Sequence, residues 1–472
     1  LVQKNLSQLF PFEPTRFQSL ALVKLEKFTF YNERKALFVL KGYAGTGKTT
    51  LISTYINWVP QVGLKTVLVA PTGRAAKVLS NYSNKSAFTI HKQIYYQAHV
   101  DGNIVFTVQK NKYTNTIFIV DEASMISNVG TMGGSFISKG RTLLDDLLDY
   151  VYSGTNCRLV MVGDTAQLPP VGSNESPALD SVYLSTRYPI QVGEIELSEV
   201  TRQSQYSGIL YNATIIRNLL KNESDFFPRF EVDNFDDILK LGGYEIEEEV
   251  STCYSNSGIE NTVIICRSNK QANNFNKYIK YSVLYQEDEL NAGDLLMVVR
   301  NNYFWLKLET DIDFIANGDM AEVLRVINYE DKFGFRFANV SIRLLDFKRE
   351  VEFEIKLLLD TLMAETPSLS KDDGRRLYEE IWNSYSDIRD KRKRQKAVKD
   401  DPYFNALQVK FGYAITCHKS QGGQWENVFV DQGYLKDEMI NREYIRWLYT
   451  AITRATKKLY LTNFHDKFFS AT

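Results

Sequence analysis

Cysteine and histidine are scarce, with four of each in 472 residues. Cys157, Cys253, Cys266 and Cys417 stand far apart, none in a C-x-x-C spacing, which speaks against a disulfide framework or a zinc site. The pattern suits a reducing compartment, and a cytoplasmic protein is expected. An excess of one charge is also missing. Lys plus Arg total 56 against 57 for Asp plus Glu, a net charge of -1, so any nucleic-acid site has to be local. No apolar run reaches about 18 residues, and the start "LVQKNLSQLF" shows no charged segment followed by an apolar one. Neither a membrane span nor a signal peptide is therefore expected. What the chain does have is length, enough for two large domains with smaller insertions, and 28 Tyr plus 28 Phe, most of them expected to fill the cores and some able to stack on bases.

Apolar strands alternate with helical patterns in the first half. "KALFVLKGYAGTGKTTLISTYINWV" reads as strand, Gly-rich loop and helix, with Leu51, Ile52, Tyr55 and Ile56 at helical spacing. "KTVLVAPTGRAAKVLSNY" repeats the arrangement, and "TIFIVDEAS" and "RLVMVGDTAQLPPV" are further apolar strands ending in polar residues. Continuous apolar strands between helices predict an α/β fold, a parallel sheet covered on both faces with ligands at the carboxyl ends of its strands. The first domain is expected over 1–204. Within it, Asp101-Gly102 lies between alternating apolar runs and predicts a two-residue hairpin turn in an insertion at about 92–113.

The second half repeats the style over 205–295 and 405–472. The interruption, 296–404, holds short strand-like runs that predict a small β subdomain, then Tyr378, Ile381, Tyr385 and Ile388 on one face of an amphipathic helix with a basic end. The Gly-rich stretch Ser127 to Gly140 reads as a loop with no assigned role.

"GYAGTGKT" fits G-x-x-x-x-G-K-[ST] between strand and helix. Gly42, Ala44, Gly45, Thr46, Gly47, Lys48, Thr49 and Thr50 are expected to bind the phosphates of ATP, through backbone amides, the helix N-terminus and the Lys48 charge. Thr49 and Asp121 are expected on Mg²⁺, and Glu122 is expected to orient and deprotonate the attacking water. Gln167, in "VGDTAQLPPVG", has an amide that can report the γ-phosphate to a neighbouring loop. Arg202 and Arg454 are arginines near the domain edges, placed to stabilise transition-state charge if domains close on the nucleotide. "APTGRAAK" and "TIH" offer hydroxyls and helix N-terminal amides to a phosphodiester backbone; a helix cap is the alternative for Thr72.

In order and over nearly the whole chain, these stretches resemble the superfamily 1 helicases. "GDTAQLPPV", "HKSQG" and "YTAITRA" are most similar to the RecD-, Dda- and Pif-like B subgroup. The resemblance implies two RecA-like P-loop domains with ATP between them and single-stranded DNA across their tops. It makes the hairpin a duplex-splitting pin, the interrupted region an SH3-like subdomain, and Gln18 an adenine reader. It implies 5′ to 3′ movement, single-stranded DNA and forks as partners, and no membrane; a monomer is expected. Pro71, Thr72, Thr89, His91, Thr416, His418 and Lys419 are expected on the DNA. An RNA or 3′ to 5′ motor of the superfamily, or a P-loop ATPase switch binding a protein partner, stays open as an alternative.

"FGYAITCHKSQGGQW" sets Cys417 beside His418. Neighbours on a strand face opposite ways, so a catalytic pair or metal pair is not expected. Cys417 should pack inward and His418 face the DNA groove, while Gln421 and Gly422 approach the nucleotide cleft.

Overall fold

The computed structural model describes residues 5–31, 33, 35–100, 103–128, 141–201, 206–221, 227–306, 315–345 and 352–470, with the backbone alone at 97–100 and 103–106. Arg202, the turn Asp101–Gly102 and most of the Gly-rich stretch, 129–140, lie outside the described residues.

The first half builds an all-parallel six-stranded sheet. Its strands are β1 (Ala36–Gly42), β2 (Lys65–Ala70) and β3 (Ala87–Thr89), then, beyond a hairpin of β4 (Tyr95–Val100) and β5 (Asn103–Val108), β6 (Thr114–Val120), β7 (Thr155–Gly163) and β8 (Gln191–Leu197), in the order β3-β2-β6-β7-β1-β8. Leu37, Val39, Phe118 and Met161 face one way, and Phe38, Leu40, Ile117 and Val160 the other. Both faces are apolar, so both must be covered. Helices α1 (Arg16–Thr29), α2 (Lys48–Trp58) and α3 (Gly73–Ser83) cover one, and α4 (Ile90–Ile94), α5 (Leu143–Ser153) and α6 (Ser181–Arg187) the other. Parallel strands bring the segments after β1, β2, β3, β6 and β7 to one edge.

The hairpin pairs Tyr95 with Val108 through to Val100 with Asn103. It begins at Tyr95 rather than Lys92, because Thr89 accepts a hydrogen bond from the Lys92 amide at 3.2 Å and caps a helical turn first.

The second half holds α7 (Gly208–Leu219), β9 (Ile238–Leu241), α8 (Ile246–Ser257), β10 (Thr262–Cys266) and α9 (Asn269–Tyr278) before the chain leaves for the barrel. There β11 (Leu295–Val298), β12 (Met320–Lys332), β13 (Phe335–Leu344), β14 (Glu352–Leu358) and β15 (Leu407–Phe411) close on one another. The expected return to the second domain at 405 is therefore too early: β15 pairs with β11 and β14 and completes the barrel. The chain crosses back at Gly412, where a Cβ would lie 2.4 Å from the Met320 side chain. A network centred on the fully buried Lys280, Asp294 and Tyr413 fixes this junction. Lys280 donates to Asp294 and Asn291 at 2.7 Å, and the Tyr413 hydroxyl donates to the other Asp294 oxygen at 2.7 Å.

The single amphipathic helix expected after the barrel strands is two, α10 (Lys371–Ser384) and α11 (Lys391–Lys399). Asp390 breaks the run by accepting from the Arg392 and Lys393 amides, as an N-cap does. The chain ends with β16 (Ala414–Thr416), α12 (Cys417–Ser420), β17 (Trp425–Asp431), α13 (Arg442–Ile452) and β18 (Ala455–Thr462). The second sheet runs β16-β10-β17-β18-β9, all parallel. No helix among the described residues is long and apolar enough to cross a membrane.

Candidate nucleotide and nucleic-acid site

The loop after β1 depends on its glycines. Gly45 and Gly47 take φ of 74° and 78°, a left-handed backbone that side chains with a Cβ avoid. Lys48 opens α2, and its ammonium donates to the Gly42 carbonyl and, at 2.9 Å, to the Tyr43 carbonyl, 4.0 Å from Asp164. These are the contacts of a cation waiting among oxygens. The Gln18 carboxamide donates to the Thr46 carbonyl at 2.9 Å and accepts from the Thr15 amide at 2.9 Å. It props the loop from outside, and a Cβ on Gly47 would lie 2.4 Å from its nitrogen.

Asp121 and Glu122 follow β6. Glu122 turns left-handed at φ 50° and donates its amide to Asp121, which also accepts from the Tyr82 hydroxyl at 2.7 Å. Burial pushes both carboxyls up; the Tyr82 hydrogen bond opposes this at Asp121 and the Arg454 charge opposes it at Glu122. Close by on the same edge of the fold, Ser124 Oγ and Gln167 Oε1 are buried without a hydrogen-bond partner. Such atoms are costly to leave unpaired, and these two are open to a partner from outside the chain.

The other wall comes from the second domain. Arg454, 4% exposed, lies 3.9 Å from Glu122 and donates to the Thr450 and Gly423 carbonyls and the Thr453 hydroxyl. On the preceding helix the Tyr449 hydroxyl accepts from the Ala44 amide at 2.8 Å and donates to Asp164 at 2.7 Å. Thr450 accepts from the Leu168 amide at 2.8 Å, and Gln421 donates to the Leu168 carbonyl at 2.7 Å. Tyr82 and Tyr449 were not singled out from sequence. Tyr449 sits within "YTAITRA", yet only the fold shows that its hydroxyl reaches a loop 405 positions away.

Gln421 and Gly422 lie where the two domains meet. Gln421 spends its amide on the loop after β7, and Gly422 packs on the tip of α3: a Cβ there would lie 2.7 Å from Ala75 and 3.3 Å from Thr72. Thr72 caps α3 by accepting from Ala75, so its cap reading holds, and Thr89 caps α4 in the same way. Arg74 lies over the Trp425 ring at 3.7 Å, joining the domains beside these caps. Pro71 and Thr72 after β2, His91 after β3, Thr416 at the end of β16, and His418 and Lys419 in α12 are all at least partly exposed, whereas Thr89 is buried.

Cys417 begins a helix rather than ending a strand, so it is the helical turn that separates it from His418. Its thiol is buried against the Trp447 carbonyl and pushed up to about 12 by that burial, while His418 is exposed. Cys417→Ala should leave DNA-stimulated ATP turnover within about twofold, whereas His418→Ala should weaken it; measured turnover showing the reverse would restore a reactive cysteine. Lys419 carries a buried ammonium with no hydrogen-bond partner, its pKa lowered to about 8 by burial and by Lys410.

Comparison with known proteins gives two family matches in order: an AAA domain at residues 28–218 and a UvrD-like helicase C-terminal domain at residues 411–462. An uncharacterised protein of Methanocaldococcus jannaschii is 26% identical over 90% of this chain and 36% of its own. The ATP-dependent RecD2 DNA helicase of Deinococcus radiodurans is 32% identical over 38% of this chain and 21% of its own. The chain thus spans well under half the length of these two relatives. A solved structure of Pif1 helicases at forked double-stranded DNA matches 98% of this chain and 95% of its own at a TM-score of 0.50 and 16% identity, a likeness of fold. With the P-loop and the acidic pair inside the first family match and the arginine inside the second, all in one inter-domain cleft, the chain joins an AAA domain to a UvrD-like helicase C-terminal domain, an arrangement similar to that of the RecD- and Pif-like helicases.

Proposed function

We propose that the chain is an ATP-driven DNA helicase, a monomeric cytoplasmic motor that moves 5′ to 3′ on single-stranded DNA and opens forks. One observation carries the reading: the hydrolytic carboxylate Glu122 and the arginine beside it, Arg454, come from different domains and meet at 3.9 Å. A cleft that completes its hydrolytic site only when closed converts the phosphate state into a domain position. Gly422 packs against Thr72 across the same cleft, so closure and opening would also shift the surfaces expected to hold the DNA backbone.

ATP and Mg²⁺ fit the residues present. Ser124 and Gln167 leave buried polar atoms unpaired, and Lys48 lies among carbonyls it can exchange for phosphate oxygens. Thr49 and Asp121 would hold Mg²⁺. Among the described residues no cluster of three or more His, Cys, Asp or Glu could hold a metal alone, as suits an ion that takes one or two carboxylates and substrate phosphates. When bound, the metal neutralises charge on the phosphates. Glu122 takes the proton of the attacking water, Arg454 and Lys48 stabilise the charge that develops, and Gln167 with Gln421 passes the change to the loops between domains. Arg202 is assigned to the same charge.

DNA forks with only a 5′ or only a 3′ single-stranded tail test this directly. The 5′ tail should support ATP-dependent unwinding, and Lys48→Ala should abolish it on both. Unwinding from the 3′ tail alone would overturn the polarity, and no stimulation of ATPase by single-stranded DNA would favour a protein-binding switch.

A further inference from the structure

We propose that α11 is a second nucleic-acid contact, outside the cleft, that takes the phosphate backbone of double-helical DNA. Residues 389–399, "RDKRKRQKAVK", hold seven basic side chains and one acidic one in a chain of net charge -1. The one carboxylate, Asp390, is turned onto the helix end, where it accepts from the amides of Arg392 and Lys393. Lys391, Arg392, Lys393 and Lys396 are exposed, and among the described residues none of them is in an ion pair.

Helical geometry makes this arrangement unfavourable on its own. Arg392 and Lys396 are four apart and Lys393 and Lys396 three apart, so like charges meet on the helix surface and oppose its formation. A charged run that merely kept the chain soluble could stay unfolded. This one is held in place: Val398 is fully buried, Arg394 donates to the Trp382 carbonyl at 2.8 Å and lies 4.5 Å over its ring, and Asn405 donates to the Lys399 carbonyl at 2.6 Å. Val398 joins Leu377 and Ile381 of α10 and Phe335 and Phe337 of the barrel in one cluster. The cations are therefore presented on a fixed rod, about 13 Å long at 1.5 Å per residue. Double-helical DNA carries one charge per about 1.7 Å of axis against about 3.4 Å along one strand, so a fixed row of cations meets the denser row of phosphates on a duplex.

The proposal stands whether or not the cleft moves on DNA, so its test is binding and needs no ATP. Affinity for a blunt duplex is measured by fluorescence anisotropy across salt for the wild type and for Lys391→Gln/Arg392→Gln/Lys393→Gln/Lys396→Gln. Every phosphate that the variant leaves without a cation lowers the slope of log affinity against log salt by about 0.9, so the slope should fall by about 2 to 4. Lys391→Arg/Lys393→Arg/Lys396→Arg should keep it, which separates charge from folding. Single-strand-stimulated ATPase should stay within twofold of wild type in both variants. An unchanged duplex slope would overturn the proposal and leave an acidic protein as the partner of this face. An equal fall on a single strand would also overturn it, making α11 an extension of the track.

Discussion

Arg454→Ala should lower ATP turnover at saturating single-stranded DNA by about 10³-fold or more, with nucleotide affinity changed only a few-fold. An arginine at the transition state of γ-phosphate hydrolysis is worth about 10³ to 10⁵ in rate. The role proposed for Arg454 rests on its placement: 4% exposed, 3.9 Å from Glu122, and aimed by three groups of its own domain, the Thr450 and Gly423 carbonyls and the Thr453 hydroxyl. None of these comes from the P-loop, so ground-state binding has little to lose. Arg454→Lys should recover less than a tenth of the activity, because an ammonium cannot use three differently placed acceptors as a planar fork does. Labelled-nucleotide titration and steady-state turnover, run on the same samples, give the two numbers. A loss below about threefold in turnover, or a matching loss in affinity, would remove Arg454 from the chemistry.

What could be read from sequence follows the range of the interactions involved. The P-loop, the strand-end acids and the hairpin were legible because each is set by neighbours in the chain: the Gly45 and Gly47 backbone, an apolar strand running into Asp121, and two alternating runs that pair as Tyr95 with Val108. The barrel's last strand was not. Leu407–Phe411 is buried at every position, so its apolar pattern would suit either sheet, and only its pairing with β11 and β14 decides. The break before α11 turns on one carboxylate choosing two amides over solvent. The particular partner of Gln421, the Leu168 carbonyl of the other domain, has no spacing in the sequence that would name it. Tyr82 and Tyr449 act through single hydroxyls across the fold, for which a sequence has no spacing to read.

Tyr449→Phe is the change that exposes this last kind of contact. It removes one oxygen from a fully buried ring and keeps the packing. That oxygen accepts from the Ala44 amide of the first domain's P-loop and donates to Asp164, whose carboxylate lies 4.0 Å from Lys48. Without it a half-buried amide and a buried carboxylate are each left short of a partner, at about 1–3 kcal/mol apiece. Asp164 can recover part of this by drawing Lys48 toward itself, and a Lys48 held there is withheld from the phosphates. Turnover should therefore fall by about tenfold to a hundredfold, with about 1.36 kcal/mol per tenfold. Thermal unfolding should shift down by several degrees. Adding Asp164→Asn, which removes the charge that competes for Lys48, should restore part of the turnover without restoring the melting temperature. A contact that served only stability would move both together, and the failure of the second substitution to separate them would return Tyr449 to the core as packing.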